Sequence, residues 1–372
     1  MSADQVCLPE GVPSLTTFYL YLTSGCNLAC RHCWITPNFT QGRLKPDQYL
    51  DVELLHQAIL TARPMGLGGV KLTGGEPVLH PDFVAITRLL TEQNLPFQME
   101  TNGTLIDAGL ARYLKEETGL WFVSVSLDGC NPATHDRFRG VAGSFDAAVA
   151  GIKHLVDAGF APQIIMSPHH GNLDEVEGLV ELALRLGAGS VKFNPVTRSG
   201  RGIAMHERGE TLDYDEVREF GRYLDAELQP RSSIPLHLGL PLALSSLQQL
   251  ALRAGQKCNV RNILGILGSG EMALCGIGRN VPELCFGRLG EDDLREVWIG
   301  HPVLRQLRRD LEEPYRGICG DCIHARVCQL HCVAMNYLET GELASPAPIC
   351  ADAAARGLFP ASRRVAAAQQ VA

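Results

Sequence analysis

Three cysteines within eight positions constrain this chain more than any other feature. Ser24-Gly25-Cys26-Asn27-Leu28-Ala29-Cys30-Arg31-His32-Cys33-Trp34 spaces them C-x3-C-x2-C. Thiolates so close on a short loop can converge on one soft metal centre, yet three are one fewer than a closed four-thiolate site holds. A centre one protein ligand short keeps a coordination position for substrate, the property that separates catalytic from structural metal sites. On spacing alone the loop reads as an iron–sulfur cluster with one open iron; a zinc loop, a disulfide pair and buried reduced thiols are the alternatives.

The rest of the composition narrows the setting. At 372 residues, 45% hydrophobic and 20% charged, the chain can bury a sizeable core in one large domain or two smaller ones. The net charge of −8 and the lack of a dense Lys/Arg run argue against a nucleic-acid partner. Met1 to Ser14 lacks a basic-then-apolar signal pattern, and no apolar run reaches the roughly 18 residues of a membrane span. A cytoplasmic protein with no membrane partner is expected, where disulfides are rare. There, 13 cysteines point to metal. Three lie at 26, 30 and 33, eight fall between Cys258 and Cys350, and only Cys7 and Cys130 are left over. Three plus eight is one open site and two complete four-cysteine sites.

Six strands are expected, at Thr16–Thr23, Val70–Thr73, Phe97–Thr101, Trp121–Leu127, Ile164–Met166 and Val191–Val196. Helical patterns follow at Leu50–Ala62, Phe83–Glu92 and Ala108–Glu116. Another helix starts at Ser144 as N-cap and closes at Gly159, and a further one has Asn172 and Glu175 as a capping pair. Strand–helix alternation implies parallel βαβ units. Because chemistry-bearing residues follow nearly every strand, a barrel, open or closed, fits better than a doubly wound sheet. Ser199 to Gly209 reads as a loop, Leu212–Leu228 as helix and Pro230–Pro235 as a linker, so a boundary is placed near 235.

Gly74-Gly75-Glu76-Pro77 directly follows the second strand: two glycines admit close backbone approach, and a carboxylate can hold an ammonium group. Thr101-Asn102-Gly103 and Ser126-Leu127-Asp128-Gly129 end the next two strands, and simple turns are the plain reading of all three. Ser126 and Asp128 could hydrogen-bond a ribose or amino-acid moiety. His135-Asp136-Arg137-Phe138-Arg139-Gly140 offers guanidinium groups suited to a carboxylate or, more commonly, a solvated cluster. Asn194 stands near the end of the sixth strand. His169-His170 reads as a solvated pair, Trp34 and Phe39 as packing, and Cys7 and Cys130 as ordinary reduced cysteines.

Taken in order, C-x3-C-x2-C, G-G-E-P, T-N-G and S-L-D-G, each at a strand end, resemble the radical S-adenosylmethionine (SAM) superfamily over about residues 16 to 200. The resemblance implies an α/β fold, a partial (β/α)6 TIM-like barrel holding a [4Fe–4S] cluster through Cys26, Cys30 and Cys33. SAM then chelates the fourth iron, and one electron cleaves it to methionine and a 5′-deoxyadenosyl radical that abstracts hydrogen from substrate. The same resemblance gives SAM contacts to Gly74, Gly75, Glu76, Pro77, Asn102, Ser126, Asp128, Arg139 and Asn194. It also implies an electron donor such as flavodoxin or ferredoxin. His32 stands where the family usually has an aromatic residue.

The second half resembles the cysteine-rich SPASM extension of radical SAM enzymes. Cys319-x2-Cys322-x5-Cys328-x3-Cys332 is followed by Cys350, and Cys258, Cys275, Cys285 and Phe286–Trp298 stand ahead of it. Two tetrahedral zinc sites are the competing reading of these cysteines. The resemblance implies two auxiliary [4Fe–4S] clusters, one on Cys258, Cys275, Cys285 and Cys332, the other on Cys319, Cys322, Cys328 and Cys350. The division expected is therefore a segment 1–15, a radical SAM barrel 16–235 and a SPASM domain 236–372. Position 280 is Asn where the family pattern has Gly, and Phe286 replaces the Asp that sulfatase maturases carry after the third SPASM cysteine. That replacement weakens a sulfatase-maturase reading. SPASM proteins act mainly on peptides, so the expected function is maturation of a ribosomally synthesised precursor peptide by crosslinking, excision, epimerisation or decarboxylation. With 25 residues ahead of Cys26, leader recognition is expected from a separate partner protein or from the SPASM surface. A haem-like, small-molecule biosynthetic enzyme is the alternative.

Overall fold

The computed structural model describes residues 6–252, 258–312 and 314–365. Six strands form the centre: β1 (Thr17–Tyr21), β2 (Gly69–Thr73), β3 (Phe97–Thr101), β4 (Leu120–Ser126), β5 (Gln163–Met166) and β6 (Ser190–Phe193). Helices α1 (Val52–Ala62), α2 (Phe83–Glu92), α3 (Ala108–Glu116), α4 (Pro132–Arg139), α5 (Ser144–Asp157) and α6 (Val176–Leu186) separate them. All neighbouring pairs are parallel, and the sheet extends at both ends. On one side β7 (Leu236–Leu238) joins β6 in parallel. On the other, β8 (Ile263–Ile266) joins β1 in parallel, and β9 (Glu271–Ala273) and β10 (Cys285–Arg288) continue antiparallel. The order is β10-β9-β8-β1-β2-β3-β4-β5-β6-β7, with strand pairing running on past residue 235.

The strands alternate sharply. Phe18, Leu20, Val70, Leu72, Phe97, Met99, Val123, Val125, Ile164, Val191 and Phe193 point to the helices and are at most 3% exposed. The intervening positions carry Tyr19, Lys71, Glu100, Ser124 and Lys192, so the inner face is polar. There the Lys71 ammonium pairs with Glu100 at 2.6 Å and lies 5.2 Å from the Tyr19 ring centroid.

Several local expectations change. Gly143, with φ 80°, is the N-cap of α5; Ser144 is its first residue and donates its hydroxyl to Asp136 at 2.9 Å. Asn172 and Glu175 form no capping pair: the Asn172 amide accepts from the His169 N–H (2.8 Å), and the Glu175 carboxylate accepts from the Cys130 N–H (2.7 Å). The stretch Ser199 to Gly209 contains a short helix, Gly202–Glu207, and the helix expected over Leu212–Leu228 is α-helical only at Tyr214–Tyr223 before tighter and wider turns take over.

Candidate active site

The cysteine loop leaves β1 and is held by hydrogen bonds from four directions. Gly75 donates its N–H to Thr23 O (2.9 Å) and Glu76 to Gly25 O (3.1 Å), pressing the G-G-E-P turn against the loop. A Cβ at Gly75 would lie 1.8 Å from Gly25 O, so only glycine fits there. From the C-terminal end of α4, Arg139 O and Phe138 O accept from Ala29 N (3.0 Å) and Arg31 N (2.9 Å). Arg201, after β6, gives its guanidinium to Cys30 O (3.0 Å) and Pro37 O (2.7 Å) and its N–H to Cys33 O (3.0 Å). Asn280 grips the loop's exit: its amide donates to Trp34 O at 2.6 Å and accepts from the Thr36 hydroxyl at 2.8 Å. Thr36 has φ 47°, a left-handed conformation that a β-branched residue keeps only when its surroundings impose it.

Cys26 and Cys30 are buried and Cys33 is half-buried. Burial, with the charges of Glu76 and Cys30 behind it, pushes the Cys26 thiol up to about 12, and burial also raises Cys33. Such sulfurs become thiolates only beside a cationic centre. Donors already point at them: Leu28 N–H lies 3.4 Å from Cys26 Sγ, the Asn102 amide 3.9 Å from the same atom, and the Arg139 guanidinium 3.6 Å from Cys30 Sγ. The donor set fits an iron–sulfur cluster.

The strand-end motifs gather around this loop, largely by bonding to one another. Glu76 is 1% exposed, and its carboxylate accepts from the Thr101 hydroxyl (2.7 Å), Asn102 N–H (2.8 Å) and Val78 N–H (3.3 Å). Burial raises its carboxyl to about 7 against those three donors. The carboxylate that the sequence offers to an ammonium group thus straps the G-G-E-P turn to the T-N-G turn. Asn102 bonds Asn27 of the cysteine loop (2.8 Å) and Thr104 (2.7 and 2.9 Å). Asp128 is fully buried, pairs with Arg139 at 2.5 Å and accepts from Ser167 N–H at 2.7 Å. Burial alone would raise its carboxyl; the Arg139 guanidinium, then His32 and His135, bring it below the usual range. Arg139 therefore bridges Asp128 and Cys30. Ser126 and Asn194 remain half-buried at the mouths of β4 and β6, and Pro77 is buried beside Glu76.

Among the histidines, His170 is exposed and pairs with Glu216 at 2.9 Å, as a solvated residue would. His169 is not solvated: it is buried and stacks on Phe138 at 4.2 Å, whose other neighbour is His32 at 4.3 Å. Trp34 packs edge-on to Tyr21 at 6.4 Å, whereas Phe39 is 46% exposed and is not packing. Cys7 is exposed and Cys130 half-buried, both unbonded to another cysteine. Neither Arg201 nor Asn280 sits in a motif that marks it as a site residue; only the Gly- and Arg-rich character of 199–209 and the asparagine at 280 signal them.

The distal cysteines fall into two neighbourhoods. Cys319, Cys322, Cys328 and Cys350 line one small apolar cavity with Ala243, Ala325 and Phe359. Burial is the main cause that raises the Cys319 thiol to about 12 and Cys350 further, and the partner thiols add to it. Cys258 is exposed, and the Cys332 charge acts on its thiol; burial raises Cys275, which feels both of these charges. Cys285 stands apart, its thiol donating to Gly278 O at 3.4 Å. Cys328 and Cys332 serve different neighbourhoods because Gln329, Leu330 and His331 between them are all left-handed, at φ 51°, 64° and 66°. A tetrahedral zinc would draw four sulfurs to about 3.8 Å of one another, from Zn–S bonds of about 2.3 Å. Among the described residues no three His, Cys, Asp or Glu side chains close on a point for one ion. Four thiols on one cavity are a ligand set for a soft metal centre.

These strands and turns define a radical SAM enzyme. The radical SAM superfamily pattern matches residues 20–183, and the pattern of an iron–sulfur cluster-binding domain, SPASM, matches residues 258–323. The chain belongs to the radical SAM superfamily and carries a SPASM domain. It is 32% identical over 343 residues to an AdoMet-dependent heme synthase of Methanosarcina barkeri, covering 88% of this chain and 94% of that one. It is 28% identical over 334 residues to the mycofactocin maturase MftC of Mycobacterium ulcerans, covering 88% and 86%. In fold it matches Streptococcus suis SuiB bound to its precursor peptide SuiA, with a TM-score of 0.68 at 15% identity over 91% of this chain and 76% of that one. Among the described residues no helix is long and apolar enough to cross a membrane.

Proposed function

We propose that this enzyme is a maturase that modifies a ribosomally synthesised precursor peptide, using SAM and three [4Fe–4S] clusters. Cys26, Cys30 and Cys33 would hold the first cluster, with one iron left for SAM. Cys258, Cys275, Cys285 and Cys332 would hold the second, and Cys319, Cys322, Cys328 and Cys350 the third. When bound, these groups supply the one-electron chemistry that removes hydrogen from an unactivated carbon. The chain's own part is binding, orientation and exclusion of water. Asn102 and Arg139 orient donors at the cysteine sulfurs, Asp128 fixes Arg139, and Ser126 and Asn194 stand half-buried at the strand mouths, where polar groups of SAM would lie. Residues 16–235 are read as the barrel unit and 236–372 as the auxiliary-cluster unit.

The observation that carries the peptide reading is a groove of about 420 Å³ between the cysteine loop and the β8–β9 hairpin. Its lining mixes short polar and glycine positions with Tyr21, Ile35, Pro37, Leu267 and Pro282, and holds one cation, Arg279, and one carboxylate, Glu271. A near-neutral groove of this kind suits an extended peptide, whereas a macrocycle held there by all of its carboxylates would call for several cations. The mycofactocin maturase, similar over most of the chain, is named for the same class of work. The second reading, a haem-type small-molecule enzyme, is favoured by the 32% identity to the AdoMet-dependent heme synthase. The test is to incubate the reconstituted enzyme with peptides encoded beside its gene. A SAM-dependent mass change in a peptide is expected. No change, together with SAM-dependent turnover of an iron-free or iron-bearing porphyrin, would reverse the order of the two readings.

A further inference from the structure

Arg279 is the charged group in that groove that no neighbour satisfies. It ends the short turn Gly276–Arg279 between Cys275 and Cys285 and lines the cavity together with Tyr21, Thr36, Glu271 and Cys285. Its guanidinium forms no hydrogen bond or ion pair among the described residues. The nearest carboxylate, Glu271, is already engaged, accepting from Ser269 Oγ at 2.5 Å and pairing with Arg288 at 3.2 Å. Burial and the Arg201 guanidinium hold Arg279 below the usual arginine range, and the charges at Cys33 and Glu271 only partly offset them.

The turn that carries it is rigid. A Cβ at Gly276 would lie 2.3 Å from the Tyr21 ring, and one at Gly278 would lie 2.8 Å from Cys285 Sγ, so the backbone is wedged between β1 and β10. Asn280, the next residue, is tied to Trp34 and Thr36. Arg279 is thereby fixed between the loop of Cys33 and the segment of Cys275 and Cys285, with its charge aimed at open space.

We propose that Arg279 docks the substrate in this groove by binding one of its carboxylates. A planar guanidinium matches a carboxylate through two parallel hydrogen bonds. Glu271 across the groove disfavours a dianion such as phosphate, and the single cation sets the count at one carboxylate. The site is separate from the strand mouths of β4 and β6 assigned to SAM. The carboxylate can belong to an acidic side chain of a peptide or to a propionate of a porphyrin. The inference rests on the groove being the substrate's, but its readout is binding without turnover. Its failure is therefore distinct from a failure to modify a precursor peptide.

The experiment measures equilibrium binding to the cluster-reconstituted full chain with SAM, without oxygen, by fluorescence anisotropy or quenching. One probe pair is a labelled decapeptide pool with a central glutamate and randomised flanks, set against its glutamine twin. The other is coproporphyrin III against its tetramethyl ester. In at least one pair the acid should bind about tenfold or more tighter than its neutral twin, the scale of a charge-assisted hydrogen bond. That preference should vanish in Arg279→Gln and return in part in Arg279→Lys, with iron content unchanged in both. A preference in the peptide pair assigns the carboxylate to a side chain, one in the porphyrin pair to a propionate. Equal binding of acid and neutral twins, no binding of either acid, or a preference that survives in Arg279→Gln overturns the proposal. If Arg279→Gln fails to retain iron, Arg279→Lys decides it, since undiminished preference there removes the bidentate contact.

Discussion

Asn280→Gly tests whether the auxiliary segment sets the posture of the cysteine loop. The substitution removes two hydrogen bonds, to Trp34 O at 2.6 Å and from Thr36 Oγ1 at 2.8 Å. Asn280 is exposed, so each bond lies toward the low end of the usual range and the pair contributes about 1–2 kcal/mol. Thr36, at φ 47°, stores about 1 kcal/mol more that acts in the opening direction. Opening of the 34–37 segment should therefore become about 5- to 30-fold more frequent. Arg201 still grips Cys30 O, Cys33 O and Pro37 O, so the loop should not detach. Hydrogen exchange read by mass spectrometry should show Ile35 and Thr36 exchanging faster by that factor. Ala29 and Arg31, bonded to α4, should keep their rates. Unchanged exchange at Ile35 and Thr36 would refute the latch, and equal acceleration at Ala29 and Arg31 would show general loosening instead.

Other outcomes follow from the same geometry. On the ligand sets proposed above, alanine at Cys26, Cys30 or Cys33 should abolish SAM cleavage and lower the iron count from about twelve to about eight per chain, with the distal sets intact. Gly75→Ala changes no ligand, yet its Cβ meets Gly25 O at 1.8 Å, so the same loss of about four irons is expected by iron analysis. Glu76→Ala leaves the donor hydrogens of the Thr101 hydroxyl and the Asn102 N–H buried without acceptors and should cost about 2–4 kcal/mol, read as a lower urea midpoint with an unchanged slope.

The barrel was legible because its strands alternate: Thr16–Thr23 puts aromatic and aliphatic residues outward at every second position, and the helices Phe83–Glu92 and Ala108–Glu116 fall where their patterns place them. The cysteine loop was legible as well, since its ligands are local in sequence. What escaped depends on distant partners. β8 is four residues long, and its pairing with β1 joins positions such as Thr17 and Ile263, which no local period encodes. Asn172 and Glu175 have the spacing of a capping pair, but Glu175 finds the Cys130 N–H and Asn172 the His169 turn. His169 resembles its neighbour in sequence and differs only because Phe138 offers it a ring face. Arg139 and Asp128 each read as ligand-binding groups; that they satisfy one another follows from β4 and α4 meeting.

The left-handed run Gln329–Leu330–His331 has a consequence for how metal is acquired. Three non-glycine residues in that conformation cost roughly 3–6 kcal/mol together. Leu330 is buried in the core, and the fully buried Asn336 clamps its carbonyl at 2.9 Å, which offsets part of that cost. On the ligand sets proposed here the turn splits Cys328 from Cys332, so either auxiliary cluster alone would have to sustain the whole distortion. Loading is then cooperative: chains with both distal clusters, or neither, should outnumber chains with one. Cys328→Ala should accordingly deplete iron at the Cys332 set too, although every thiol of that set is still present.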